Sequence, residues 1–332
     1  MSAGGPAGGM VEVPDSSARD PARGRPGQER TAAPMVDPTT NESDRARSVR
    51  ADCGSCAGLC CVSLAFGTES GFGYDKEAGD PCVNLQADHR CGIHDELRPR
   101  GFSGCTVFDC QGTGQKVTQH TFDGRSWQDF GPEQRELMFI TFQVMRPLQD
   151  LLWVLEEALG RPETRPVHAE LDALFVETEQ LTLRDADGVL GTDVQAQRRR
   201  AQSVVSRASE LVRAQARGRR RPSRAARRAV PDASLLGADF AEQDLRGVDL
   251  SGALLIGADL READLGGADL RATDLRDADL SGAHLAQALF LTQFQVNSAE
   301  GDEHTELPPR LTRPDHWTGP REGRRRLTLL QV

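Results

Sequence analysis

Eight cysteines lie between Cys53 and Cys110, and the rest of the 332-residue chain has none. They run Cys53-x2-Cys56-x3-Cys60-Cys61, then Cys82, then Cys91-x2-His94, then Cys105-x4-Cys110. Thiolates two or three residues apart on a tight turn can close on one metal ion, with Gly54 and Gly58 easing the turn. Cys91-x2-His94 and Cys105-x4-Cys110 could complete one or two such sites. The first fifty residues hold no apolar core of the kind a signal peptide needs, so the protein is expected in the cytoplasm. A reducing compartment disfavours a disulfide framework and favours metal. The expected ligands are Cys53, Cys56, Cys60, Cys61, Cys82, Cys91, Cys105 and Cys110, with His94 as a ninth candidate and His89 on weaker grounds. All-thiolate ligation suits both zinc and an iron–sulfur cluster, so the cofactor stays open between them. Free buried thiols or redox disulfides are the plainer alternative.

No other chemistry is assembled along the chain. Gly112-Thr-Gly114-Gln-Lys116 is too short for a phosphate-cradling loop and lacks the strand and helix that such a loop needs. There is no nucleophile elbow, no HExxH, and no acid–base pair placed beside the cysteines. A non-catalytic role is therefore expected.

The elements that must position the cysteines follow from composition and periodicity. Residues 1–50 are rich in Gly, Pro, Ala, Ser and charge without periodicity, which predicts a disordered arm. The cysteine module is expected over 51–130 and a helical segment over 131–217. In that segment Leu137, Ile140, Val144, Leu148, Leu151, Leu152 and Leu155 recur at threes and fours behind Gly131-Pro132. Further helices are expected over His168–Leu183 and Val194–Ala216. The most apolar stretch, Leu137–Leu159, is interrupted by Arg146, Pro147 and Asp150, and reads as a buried helix and not a membrane span. Net charge is −10, and the positive charge is almost all arginine, Lys76 and Lys116 being the only lysines. Arg213–Arg228 holds eight arginines and no acid. A basic linker over 218–232 is the first reading of that stretch, and an electrostatic patch for nucleic acid or an acidic surface is the second.

From Ala233 a five-residue period takes over. Leu or Phe stands at every fifth position from Leu235 to Phe290, and a small residue usually stands two before it, as at Ala238, Ala258 and Ala278. A period of five matches neither a helix nor a strand, but it fits a chain that turns a corner every five residues. Four units close a coil of twenty residues, so Leu235 should stack on Leu255 and Leu275. Phe240 and Phe290 are expected to plug the two ends. The pattern resembles the pentapeptide-repeat family over 233–292, which implies a right-handed quadrilateral parallel β-helix. The remainder, 293–332, is expected to cap the coil, with a helix over Leu291–Glu300 closed by Gly301.

The cysteine segment resembles the YkgJ-type cysteine-cluster family, described as a zinc- or iron-chelating domain. Cys53, Cys56, Cys60 and Cys61 match its opening, and Cys82 its isolated cysteine. Cys91-Gly-Ile93, Arg98-Pro99 and Cys105-x2-Phe108-x-Cys110 match the elements that follow. His94 stands where an aromatic is usual, Arg98 comes one residue late, and the gap from Pro99 to Cys105 is long. The layout as a whole resembles a group of actinobacterial pentapeptide-repeat proteins.

The expected architecture is thus multidomain: a metal-stapled module, a helical segment and a short β-helix. The leading functional reading is a metal-binding scaffold that engages a protein partner, without a membrane. An iron–sulfur redox sensor or protein-modifying enzyme is the second. An acidic mimic of DNA acting on a topoisomerase is the third. Residues 233–292 carry eleven acids against four arginines, but three coils stand only about 14 Å tall, which matches about four base pairs.

Overall fold

The computed structural model describes residues 42–317, apart from Arg220 and Pro222. The arm expected over 1–50 lies mostly outside the described residues, but its last part is ordered. Helix α1 (Glu42–Ser48) is followed by Val49, which is buried. Arg45 on α1 pairs with Asp172 and lies 5.3 Å from the centre of the Phe175 ring. The chain was expected to be multidomain, yet all described residues fall in one compact unit. The physical reason is a single long helix that serves two cores.

The cysteine segment is built of turns and short helices, α2 (Leu59–Ser63), α3 (Ser103–Thr106) and α4 (Thr113–Lys116). Two antiparallel bridges, Phe66 with Lys76 and Leu85 with Cys91, hold its loops. With little regular structure of its own, the segment is held by side-chain contacts. One staple is Lys76, which is buried and donates from Nζ to the carbonyls of Val62, Glu77 and Asp80 at 3.2, 2.8 and 2.7 Å.

Helix α5 (Pro132–Leu159) starts at the proline and stops at Gly160, as its sequence predicts, and runs through Pro147. Its N-terminal half places Met138, Phe139, Phe142 and Met145 in a core with Leu59, Val62, Val117 and Trp127 of the cysteine segment. Its C-terminal half places Leu151, Leu152 and Leu155 in a second core. There they meet α6 (His168–Thr182) through Leu171 and Phe175. A short α7 (Ala186–Leu190) follows, its first turn capped by the Asp185 carboxylate, which accepts from the Gly188 amide at 2.9 Å. Helix α8 (Val194–Arg217) adds Ala201, Val204, Val205, Ala208 and Val212 to the second core. Burying each of the valines contributes about 1.5–3 kcal/mol, and each alanine methyl about 0.8 kcal/mol.

The C-terminal part is a β-helix. Parallel bridges join Ser234 to Leu254, Asp239 to Asp259, Asp244 to Asp264 and Asp249 to Asp269, an offset of twenty residues that the next coil repeats. Every fifth residue from Asp232 to Gly282 takes a left-handed backbone, which turns the corner. The aspartates finish each corner: Asp239, Asp264, Asp269, Asp274 and Asp279 each accept from the amide two residues on. The inward leucines from Leu245 to Leu285 are buried, as are the alanines that stand two before Leu255, Leu260, Leu265, Leu270, Leu280 and Leu285.

Two details depart from the sequence expectation. The five-residue phase slips near the end: the left-handed residue after Gly282 is Phe290, not Gln287. Phe290 therefore joins the helical core with Leu289, and Leu291 occupies the β-helix interior in its place. Phe240 does plug the first coil, with Arg228 5.5 Å from its ring centre. The coil also continues past residue 292. Helix α9 (Gln293–Ser298) is an excursion, after which Glu300 bridges Asp279 and Glu306 bridges His284. Gly301 is required here, since a Cβ on it would stand 2.5 Å from the Trp317 ring. The 218–232 stretch is more than a linker, because Ala226 and Ala229 are buried in the β-helix core. Residues 318–332 of the expected capping tail lie outside the described residues.

Candidate functional site

The first turn of the cysteine segment is shaped by Asp52, whose carboxylate accepts from the Gly54 amide at 3.0 Å and the Ser55 hydroxyl at 2.7 Å. This turn, the N-terminus of α2 and the loop before α4 bring four distant cysteines together. Cys53, Cys56, Cys60 and Cys110 line one cavity of about 20 Å³, floored by Gly114 and Phe142. That is room for a single water-sized species. The absence of a side chain at Gly114 keeps it open, since a Cβ there would stand 2.5 Å from Cys56 Sγ.

The remaining cysteines are Cys61, Cys82, Cys91 and Cys105. The Cys82 amide donates to the Cys61 carbonyl at 2.9 Å, and the Leu85–Cys91 bridge returns the chain beside them. Burial pushes the Cys105 thiol up to about 12, and the nearby Cys61, Cys82 and Cys91 add to the rise. Burial likewise raises Cys56 to about 11, with Cys110 and Cys53 as the charged neighbours. The sulfurs of Cys60 and Cys61 stand 3.8 Å apart. The hydrogen bond between them raises Cys60 and lowers Cys61, and Lys76 adds to the lowering at Cys61.

Backbone amides are aimed at these sulfurs. Those of Leu59 and Gly58 point to Cys56, those of Gly114, Gly112 and Thr113 to Cys110, and that of Ile93 to Cys91. The Asn84 amide reaches Cys82 at 3.5 Å. Amides only donate, so each favours the thiolate over the thiol. All eight cysteines are free. As placed, no group of three or more His, Cys, Asp or Glu among the described residues stands at metal-holding distance. His94 is exposed at the start of the turn His94–Glu96. His89 is half-buried with a left-handed backbone, and its Nδ1 has no hydrogen-bond partner among the described residues. Its backbone packs on Gly58, a contact that spacing alone does not reveal.

The cysteine segment and the β-helix meet directly. Arg98 donates to the Asn297 carbonyl, and Asn297 Nδ2 donates to the carbonyl of Thr106, the residue after Cys105. Glu157 on α5 is buried between Arg161 and Arg310, and Arg161 also donates to the Ala288 carbonyl at 2.8 Å. One face of the β-helix is covered by α8. Gly247 and Gly267 lie one above the other beneath it, and a Cβ on Gly267 would stand 2.5 Å from Ala216 Cβ. Ser209 donates to the buried Asp269 carboxylate at 2.6 Å, and Arg213 pairs with Asp249 at 3.2 Å. Arg217 donates to the Gly247 carbonyl at 2.9 Å. Three residues of the basic run, Arg213, Arg217 and Arg228, thus face the β-helix.

The pentapeptide-repeat family matches residues 233–271 and 253–290. Among curated proteins, "Uncharacterized protein YybG" of Bacillus subtilis (strain 168) is 46% identical over 267 residues, covering 80% of this chain and 94% of that protein. Among solved structures, a pentapeptide repeat protein from the thylakoid lumen of Arabidopsis thaliana shares 28% identity at a TM-score of 0.12. That likeness spans 25% of this chain and 59% of the Arabidopsis chain. No described helix is long and apolar enough to cross a membrane. With close identity along nearly the whole Bacillus subtilis protein, this chain belongs to that protein's family, and its C-terminal β-helix is built of pentapeptide repeats.

Proposed function

We propose that the protein is a metal-binding, non-catalytic interaction protein, in which thiolate-held ions staple residues 51–130 and the β-helix presents a surface to a protein partner. The observation that carries this reading is the convergence of Cys53, Cys56, Cys60 and Cys110 on one ion-sized cavity with amides aimed at their sulfurs. Cys61, Cys82, Cys91 and Cys105 form the second quartet. Four thiolates suit a tetrahedral ion such as zinc, with Zn–S bonds of about 2.3 Å. Binding takes the loss of thiol protons, and the bound ion then adds its binding energy to folding. The resemblance to the YkgJ-type clusters points the same way. His94 is exposed, and this reading leaves it out of both quartets.

The β-helix, read in finer detail as a right-handed coil of four sides, has one side taken by α8. Two neighbouring sides carry Asp239, Asp259 and Asp279, and Asp244 and Asp264, in vertical register. Arg246 pairs with Asp244 and Asp264, and Arg261 with Asp259 and Asp279, so these sides offer a partner a surface of mixed charge. The internal use of Arg213, Arg217 and Arg228 weighs against nucleic acid as the partner.

Chelation of the full-length protein tests the staple. The expected result is a lower melting temperature together with new proteolytic cuts within residues 51–130. An unchanged melting temperature and cleavage pattern after complete metal removal would overturn the structural role.

A further inference from the structure

A groove of about 450 Å³ opens where α5, α8 and a corner of the β-helix meet, away from the cysteines. Its floor is apolar, made by Leu151, Val154, Ala201 and Val205. Its rim carries three guanidiniums, Arg198 and Arg199 from α8 and Arg271 from the β-helix. Gln195 and Gln202 add amide donors. The volume is that of an ordinary small-molecule site, and the mixture of apolar floor and few polar groups is the usual one.

The arginines are poised differently. Arg271 is held in place, 5.5 Å from the centre of the Phe290 ring and 3.8 Å from the Asp269 carboxylate. This is the same Phe290 that the slip in the repeat turns towards the helices. Arg199 makes only a distant pairing with Asp193, at 3.9 Å, and both side chains are exposed. Arg198 has no hydrogen bond or ion pair among the described residues, and its charge acts on Asp150 in the same groove. Asp150 is the one carboxylate in the lining. Burial raises its pKa, against the lowering pull of Arg146 and Arg198, which weakens its repulsion of an anion. Of the three guanidiniums, Arg271 has Asp269 at 3.8 Å and Arg199 has Asp193 at 3.9 Å, while Arg198 has no ion pair among the described residues, in a chain whose net charge is −10. Guanidiniums pair with phosphate oxygens through two parallel N–H donors.

We propose that this groove binds a small phosphorylated molecule, its phosphate on Arg198, Arg199 and Arg271 and its less polar body on the Leu151–Val205 floor. The site is independent of the metal reading, since none of its lining residues belongs to the cysteine segment.

Calorimetric titration of the full-length protein with pyrophosphate and with ADP tests the proposal. Both are expected to bind, and ADP at least tenfold more tightly because it also reaches the apolar floor. The double variant Arg198→Ala/Arg199→Ala should weaken both at least tenfold. Asp150→Asn should tighten both severalfold, a gain that a merely structural role of Asp150 would not produce. No binding of either probe at millimolar concentration would overturn the proposal. So would binding that neither variant changes. Equal affinity for the two probes would overturn the role of the floor.

Discussion

Cys60 and Cys61 are adjacent in sequence and stand 3.8 Å apart at their sulfurs. Cys60 lines the cavity with Cys53, Cys56 and Cys110, whereas Cys61 neighbours Cys82, Cys91 and Cys105. A dipeptide at the start of α2 thus ties both quartets to Leu59 and Val62, which are buried against α5. Whatever the thiols hold is thereby coupled to the core of the molecule.

Gly114 is the first place to probe that coupling. A methyl group there would press on Cys56 Sγ, so Gly114→Ala should destabilise by about 1–3 kcal/mol, as overpacking of a filled site does. Gly131→Ala is the control, because a Cβ at Gly131 meets nothing within 4 Å. Denaturant unfolding should separate the two, with Gly131→Ala within about 0.5 kcal/mol of wild type.

The docking of α8 on the β-helix has its own matched pair. Gly267 and Gly257 share a backbone φ of +64°, but only at Gly267 does a Cβ collide, with Ala216. Alanine at either position costs about 1 kcal/mol of backbone strain. The further loss at Gly267, about 1–3 kcal/mol, reports the helix contact and should appear as a lower unfolding midpoint. Equal losses at both positions would show that α8 is not tightly docked.

Lys116 gives a pH signature. Burial lowers its ammonium from the usual 10.5 to about 8, and Nζ donates to Thr182 Oγ1 at 2.9 Å. Between pH 8 and 10.5 the unfolded chain therefore binds more protons at this residue than the folded one. Stability should rise with pH across that window, by up to about 1.4 kcal/mol per unit. Lys116→Met removes this slope. Unfolding both proteins at pH 8 and pH 10 makes the comparison, and the thiol titrations common to both cancel.

Glu157 joins α5 to the segment that follows the repeats. Its carboxylate is buried between Arg161 and Arg310. Glu157→Ala should cost about 3–5 kcal/mol, since it leaves two guanidiniums without their partner. Arg310→Ala should cost less, because Arg161 still serves the carboxylate at 3.0 Å. A thermal melt that ranks the two variants the other way would contradict the shared role of Glu157.

Much of this is legible in the residues alone, and the failures have physical causes. Local signals carried the helices: Gly131-Pro132 opens α5, and Asp193 caps α8 through the Ala196 amide. The five-residue period announced the β-helix because each unit repeats the same corner. The slip at Phe290 escaped, since it is dictated by the helical core that receives the ring and not by the repeat. The rungs at Glu300 and Glu306 also escaped, because α9 interrupts the period just before them. The cysteines were visible as candidates, but the meeting of Cys110 with Cys53 at one cavity depends on the return of the chain across the whole segment. The groove was invisible, since Arg198 and Arg271 meet only when α8 lies on the coil.

The most direct measurement is the metal content of the full-length protein purified without air, with an absorption spectrum and a thiol count. Two zinc ions per chain, no visible colour, and thiols that react only after chelation are the expected result. Eight freely reactive thiols with no bound metal would contradict the central claim, and iron with sulfide in a brown protein would contradict a single ion in each quartet.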